Sequence, residues 1–207
     1  CEHPGQTNSI CTHEPDDDGD GVPNSKDKCK NTKRLVVVGK NGCESPKTNR
    51  FSSRLTTNFS NINDLSNINN FSVGIENKGT IFFNSTKSIS NLEGANLDSN
   101  ISIESKIISV NIESLPQLNI SAVLQFYNIE FKVPKILING NNCTECKQLS
   151  YSGNTFVVEV PHFSDYSIIE GYASPPPGPG NGDGGGGGGQ RGCSVDWNCS
   201  AWTSCNH

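Results

Sequence analysis

Apolar and polar positions alternate over short stretches in the middle of this chain. Ile120, Ala122, Leu124 and Phe126 alternate with Ser121, Val123, Gln125 and Tyr127, and the alternation recurs at Ile129, Phe131 and Val133. Phe156, Val158 and Val160 set a further run against Val157 and Glu159. A period of two sends successive side chains to opposite faces of a β-strand. The runs are separated by Asn, Ser and Gly, which interrupt strands and favour turns. From residue 51 to 171 strand-like pieces recur at a spacing of roughly 8–12 residues with no helical stretch, which predicts an all-β, sandwich-like domain. The runner-up is a parallel β-helix, because the Asn/Ser-rich segment from Phe59 to Leu97, with NISIE just after it, has short strand-like pieces such as TIFFN. No strict repeat period supports it.

The pattern fades at both ends. Residues 1–47 carry four cysteines and almost no periodic hydrophobicity, so disulfides, with or without a metal, must hold them in place of a core. Residues 173–192, ASPPPGPGNGDGGGGGGQRG, read as a tether, stiffened by proline and then made flexible by glycine. Residues 193–207 begin another Cys- and Trp-rich module.

Composition narrows the function classes. The hydrophobic fraction is 32%, below the usual level of about 45–50% (a count that includes Gly), so only a modest core can be built. Net charge is −5, partly concentrated in the acidic loop, and no Lys/Arg cluster forms the stripe that a phosphate backbone demands, so nucleic acid is not an expected partner. No run of 18 apolar residues offers a transmembrane helix. With no Met and no apolar signal region, the chain reads as a processed or excised part of a larger secreted or surface polypeptide. Nine cysteines indicate an oxidising compartment. Seven N-x-[ST] triplets, at Asn58, Asn70, Asn84, Asn100, Asn119, Asn142 and Asn198, agree with a glycosylated, extracellular chain.

The stretch EPDDDGDGVPNSKDKC, residues 14–29, crowds carboxylates that would repel one another without a cation between them. Counting from Asp16, carboxylates fall at loop positions 1, 3 and 5 (Asp16, Asp18, Asp20), glycine at 6 (Gly21) and a closing carboxylate at 12 (Asp27). These are the positions at which an EF-hand-type loop supplies oxygens to calcium, with the Val22 carbonyl at position 7 and Asn24 at position 9. A solvated acidic turn without metal seldom keeps the spacing, the glycine and the closing carboxylate together.

DDDGDGVPNSKDKCKNTKRLVVVGKNGC also resembles the thrombospondin type 3 repeat, with one repeat present. The resemblance implies calcium held by Asp16, Asp18, Asp20, Val22 and Asp27 without flanking helices, and a Cys29–Cys43 disulfide. Cys1 and Cys11 are expected to close a small loop ahead of this site, a lipidated Cys1 being the sharper alternative. Cys143 and Cys146 are expected to form a disulfide at a β-hairpin tip rather than a redox pair or half a zinc site. Cys193, Cys199 and Cys205 lie in or beside WNCSAWTSC, which resembles the opening of a thrombospondin type 1 repeat. The central β region resembles a domain of secreted and surface proteins of archaea.

HFSDYS places His162, Ser164 and Asp165 together, but neighbours on a strand face opposite ways and cannot converge as a catalytic triad. His162 is expected at a strand end with Phe163 and Tyr166 packed inward. The chain is therefore expected to be no enzyme, but an extracellular calcium-binding structural or adhesion module of a cell-surface protein. Its partners would be a surface or matrix protein or glycan, or further copies of itself. The alternatives are an accessory region of a secreted hydrolase and a subunit of an extracellular filament or surface layer.

Overall fold

The structure, a computed structural model, describes residues 14–171, apart from the side chains of residues 85–88. The Cys1–Cys11 pairing, the tether, Asn198 and the C-terminal cysteines lie outside the described residues. Among the described residues, ten strands form two five-stranded sheets. The first runs in the order β1-β2-β5-β9-β8, made of β1 (Ile68–Ile75), β2 (Gly79–Ile89), β5 (Ala122–Phe126), β9 (Thr155–Val160) and β8 (Lys147–Ser152). The second runs β3-β4-β10-β6-β7, made of β3 (Ile101–Glu104), β4 (Ile107–Val110), β10 (Tyr166–Glu170), β6 (Pro134–Ile138) and β7 (Asn141–Asn142). Every pairing between these strands is antiparallel, which sets aside the parallel β-helix. No helix among the described residues is long and apolar enough to cross a membrane.

The alternation in the sequence becomes the core. Ala122, Leu124 and Phe126 of β5 and Phe156, Val158 and Val160 of β9 are buried, as are Ile101, Ile103, Ile108, Val110, Ile136 and Ile168 of the second sheet. All join one apolar cluster, and each fully buried side chain of this size contributes about 1.5–3 kcal/mol. A row of aromatic rings crosses the core, Phe59 to Phe71 at 5.5 Å, Phe71 to Phe83 at 4.4 Å and Phe83 to Phe163 at 5.1 Å between centroids. Two hairpins close on two-residue turns with left-handed backbone, Asn139-Gly140 between β6 and β7 and Gly153-Asn154 between β8 and β9. That handedness matches the twist of paired strands, and Asn and Gly tolerate it.

The strand predicted through Ile129, Phe131 and Val133 does not form. Asn128 takes a φ of 56° and turns the chain, and Ile129 is buried in the apolar core without belonging to a strand. The Tyr151 hydroxyl reaches the carbonyls of Ile129 and Phe131 at 2.7 and 2.6 Å, and Glu170 accepts the amides of Lys132 and Val133. Together with the Ile129 amide donating to the Asn154 carbonyl and the Gly171 amide donating to the Val133 carbonyl, these side chains satisfy the stretch in place of a ladder, and pairing resumes at Pro134. The Cys143–Cys146 disulfide forms, but at the corner where the chain leaves β7 for β8 in the other sheet, not at a hairpin tip.

Edges are handled unequally. Along β1, Ser52 and Thr57 amides donate to the Gly74 and Ser72 carbonyls, while the hydroxyls of Thr57 and Thr56 accept from the Ser72 and Gly74 amides. Strand β8 is open and carries a register shift between Gln148 and Ser150. The remaining edges are short, four residues in β3 and two in β7.

Residues 14–47 lie against the sandwich within one compact unit. The Lys40 amide donates to the Ile62 carbonyl, Lys47 to Ala95 and Gly94 to Glu44. The Lys28 ammonium pairs with Asp64 at 2.8 Å. Gly39 sits so close to buried Leu65 that an added Cβ would come within 2.9 Å of its Cδ1.

Candidate metal centre

The acidic segment folds by turning its carboxylates back onto its own amides. Asp16 accepts from Gly19 at 2.9 Å through one oxygen and from Gly21 at 3.0 Å through the other. Asp18 accepts from the Asp20 amide at 3.3 Å and from the Thr32 amide at 2.9 Å. Asp20 Oδ1 accepts from Val22 at 2.8 Å. Asn24 Oδ1 accepts from Asp17, and its own amide donates to the Pro15 carbonyl, so the loop closes on itself. Gly21, at a φ of 93°, makes the sharp turn after Asp20.

Asp16, Asp18 and Asp20 each present a carboxylate oxygen, all within 4.8 Å of one another. Asp27, only 7% exposed, comes from further along the chain and accepts from the Cys29 amide at 2.8 Å. Gly42 marks where it meets the trio. A Cβ built there would lie 2.0 Å from Asp27 Oδ1 and 3.1 Å from Asp20 Oδ2. The second Asp20 oxygen is buried and has no hydrogen-bond partner among the described residues. Asp20 is held above the usual carboxylate range, first by burial and then by the charges of Asp18, Asp27 and Asp16, with the Val22 amide opposing. A buried anionic oxygen without a donor is costly to leave unmatched. Several hard oxygens around it suit an oxygen-seeking cation such as calcium. The residues present therefore fit the ion that the spacing suggests. Val22 and Asn24 stand beside the trio at the turn, Asn24 with its oxygen already engaged by an amide.

A frame of covalent and hydrogen bonds holds the cluster. Cys29 and Cys43 form a disulfide across 14 positions. The Thr32 hydroxyl lies 2.8 Å from the Cys29 carbonyl and 2.6 Å from that of Gly42, tying the two ends of this loop. Lys28 donates its amide to the Asn41 carbonyl. Thr32 and Gly42 are absent from the sequence-derived ligand set, yet the first bonds Asp18 and the second leaves room for Asp27. The Asn-Gly pair just before Cys43 is a local signal for Gly42 alone. A second cluster, Cys29, Cys43 and Glu93, has both sulfurs in the disulfide and no thiolate to offer a metal.

The other singled-out residues disperse. The Ser164 hydroxyl donates to Asn139 Oδ1 at 2.6 Å, and His162 Nδ1 lies against the Phe163 carbonyl. Phe163 and Tyr166 are buried as the sequence implies. The Tyr166 hydroxyl donates to the His162 carbonyl at 2.7 Å, and burial pushes its pKa up to about 12. Asn58, Asn70, Asn84, Asn119 and Asn142 are exposed, and Asn70 faces Asn84 across the β1–β2 pair. Asn100 is half-buried, its amide donating to the Asn96 carbonyl. No protein-family model matches this chain, and no curated protein matches it.

Proposed function

We propose that this chain is a non-catalytic, extracellular calcium-binding module serving a structural or adhesive role in a cell-surface protein. The observation that carries the reading is the buried, unpartnered oxygen of Asp20 inside a cluster of aspartates spaced as calcium ligands. Asp16, Asp18, Asp20 and Asp27 would supply carboxylate oxygens, Val22 its carbonyl and Asn24 a direct or water-borne contact. Calcium, when bound, supplies the positive charge that offsets the mutual repulsion of these groups. The frame of Cys29–Cys43, Thr32 and Lys28–Asp64 then makes the loop a rigid extension of the sandwich. Extracellular calcium modules of this kind have affinities of about 10⁻⁴–10⁻³ M, so the ion stays largely bound in calcium-rich surroundings and acts structurally rather than as a switch.

An extracellular setting draws support from the two disulfides, which persist in oxidising compartments, and from the five exposed sequons. Adhesion to a surface or matrix protein or glycan, or to further copies, would use the sheet faces and loops. Strand addition is disfavoured at β1, whose backbone groups are already bonded, and at the short β3 and β7.

Calcium titration of the oxidised protein by calorimetry, alongside the Asp18→Ala/Asp20→Ala double variant, tests the reading. Saturable binding that vanishes in the variant is expected. No binding at millimolar calcium, or binding that survives both substitutions, would overturn it.

A further inference from the structure

We propose that carbohydrate attached at Asn58 folds back into the cleft beside it and fills it, as a covalently tethered ligand. The cleft, of about 510 Å³, lies between residues 44–49, with Val37 alongside them, and residues 53–60, which brace β1. Its volume falls within the about 300–1,000 Å³ of small-molecule sites. Backbone bonds fix both walls: the Ser45 amide donates to the Val37 carbonyl, Lys47 to Ala95, and Thr57 to Ser72 of β1.

The lining suits a neutral, hydroxyl-rich ligand. Glu44 and Lys47 are the ionisable side chains on it, one of each sign, so the cleft has no net charge with which to recruit an ion. The hydroxyl oxygens of Thr56 and Thr57 accept the Gly74 and Ser72 amides at 3.3 and 2.9 Å. Those bonds hold the two side chains in place and leave each O–H to donate to a ligand. Ser45, 6% exposed, has a hydroxyl with no partner among the described residues, a buried polar group that is costly to leave unmatched. Val37, 65% exposed, offers an apolar wall to the C–H face of a sugar ring.

Asn58 supplies the occupant. It is exposed, opens the Asn58-Phe59-Ser60 triplet and lines this same cleft. Its Oδ1 accepts the Ser60 amide at 3.1 Å and caps the turn Phe59–Asn61, while its Nδ2 has no partner among the described residues. Glycosylation modifies Nδ2 and leaves the oxygen as an acceptor, so this cap survives it. Asn100 is built the other way, with its Nδ2 donating to the Asn96 carbonyl, a bond that a sugar there would disturb. A few neutral hydrogen bonds hold a free saccharide weakly. A short tether raises the effective concentration to the millimolar range, so that a site too weak to capture a free sugar is still substantially filled. The inference rests on the glycosylated, extracellular reading and not on calcium.

The test compares the full chain secreted by a eukaryotic host that glycosylates N-x-[ST] triplets with the same chain from a bacterial periplasm, where disulfides form without glycans. Ser60→Ala is the informative variant, because it removes the triplet but keeps the backbone amide that Asn58 accepts. Peptide mass spectrometry should find Asn58 occupied in the secreted parent and bare in the variant. The gap in melting temperature between parent and variant should be roughly 2–4 °C wider in the glycosylated chains than in the unglycosylated ones. Val37→Ser should narrow that extra gap while leaving the unglycosylated chain unchanged. Three results would overturn the inference: a bare Asn58 in a chain whose Asn70 or Asn119 is occupied, no widening of the gap, or a widening that Val37→Ser leaves intact. Bare asparagines at every triplet would sink the glycosylated reading together with it.

Discussion

Alanine at Gly42 probes the closing side of the aspartate cluster. Gly42 has a φ of 78°, and left-handed backbone costs a residue with a Cβ about 1–2 kcal/mol. The methyl group would also fall 2.0 Å from Oδ1 and 2.7 Å from Cγ of Asp27, well inside contact distance. Asp27 must swing away and release the Cys29 amide, which it accepts at 2.8 Å. A hydrogen bond to a charged acceptor is worth about 1.5–3 kcal/mol. Gly21 supplies the control, since its φ of 93° carries similar strain but a Cβ there meets nothing within 4 Å. Backbone strain present in both free and bound states cancels in a binding constant and appears only in unfolding. Gly21→Ala should therefore lower the melting temperature while leaving calcium affinity near the parent value. Gly42→Ala should lower both: stability by roughly 2.5–5 kcal/mol, the strain and the lost hydrogen bond together, and calcium affinity, read by calorimetry, because the displaced Asp27 no longer reaches the cluster. Equal calcium affinities in the two variants would show that Asp27 does not close the site.

Three further outcomes follow from the same geometry. Asp20 lies above its usual carboxylate range because of burial and neighbouring charges, so its ionised form opposes the calcium-free fold and the penalty is relieved as pH falls through the folded-state value. Asp20→Asn should accordingly raise the melting temperature in EDTA and abolish the further rise that calcium gives the parent; a lower melting temperature in EDTA contradicts this. Asp64 shows the opposite sign: its hydrogen bond from Lys28 lowers it from 3.8 to about 2, giving stability that is present above the unfolded value and lost as pH drops toward 2. In Lys28→Met that acid-side loss should shrink, with a neutral-pH cost of at most about 1 kcal/mol because the pair is solvent-exposed; identical melting profiles from pH 5 to pH 2 would refute it. Replacing Cys29 and Cys43 by serine should cost about 3 kcal/mol in chemical denaturation, more than the same change at Cys143 and Cys146, whose separation is 3 rather than 14.

The parts of this protein that follow from neighbours in sequence are legible in it. Alternation at Ala122–Phe126 and Phe156–Val160 gives strands because each has one buried and one outward face. The same alternation at Ile129–Val133 misleads, since an extended chain braced by Tyr151 and Glu170 repeats its side chains as a strand does. Asn139-Gly140 and Gly153-Asn154 are hairpin signals in their own right. Asp16, Asp18 and Asp20 announce themselves because their grouping depends on local turns alone. The approach of Gly42 to Asp27 depends on a loop closed by Cys29–Cys43 and docked through Leu65, so no short window of sequence contains it.

The order of strands also governs when this molecule can exist. Strand β10 is inserted between β4 and β6, and the hairpins on either side of it share no ladder with each other. In the first sheet β9 is likewise the only link between β5 and β8. A chain synthesised from its N-terminus, at about 5–20 residues per second, cannot close the sandwich until residue 170 has emerged. Ile108 and Ile136 wait in water meanwhile, and each thiol and asparagine stays open to enzymes that act on unfolded chains. A chain stopped at Asp165 should remain protease-labile from end to end; a trypsin-resistant fragment from it would mean that half a sandwich can stand alone. Completion, rather than nucleation at the aspartate loop, sets the moment at which this fold becomes durable.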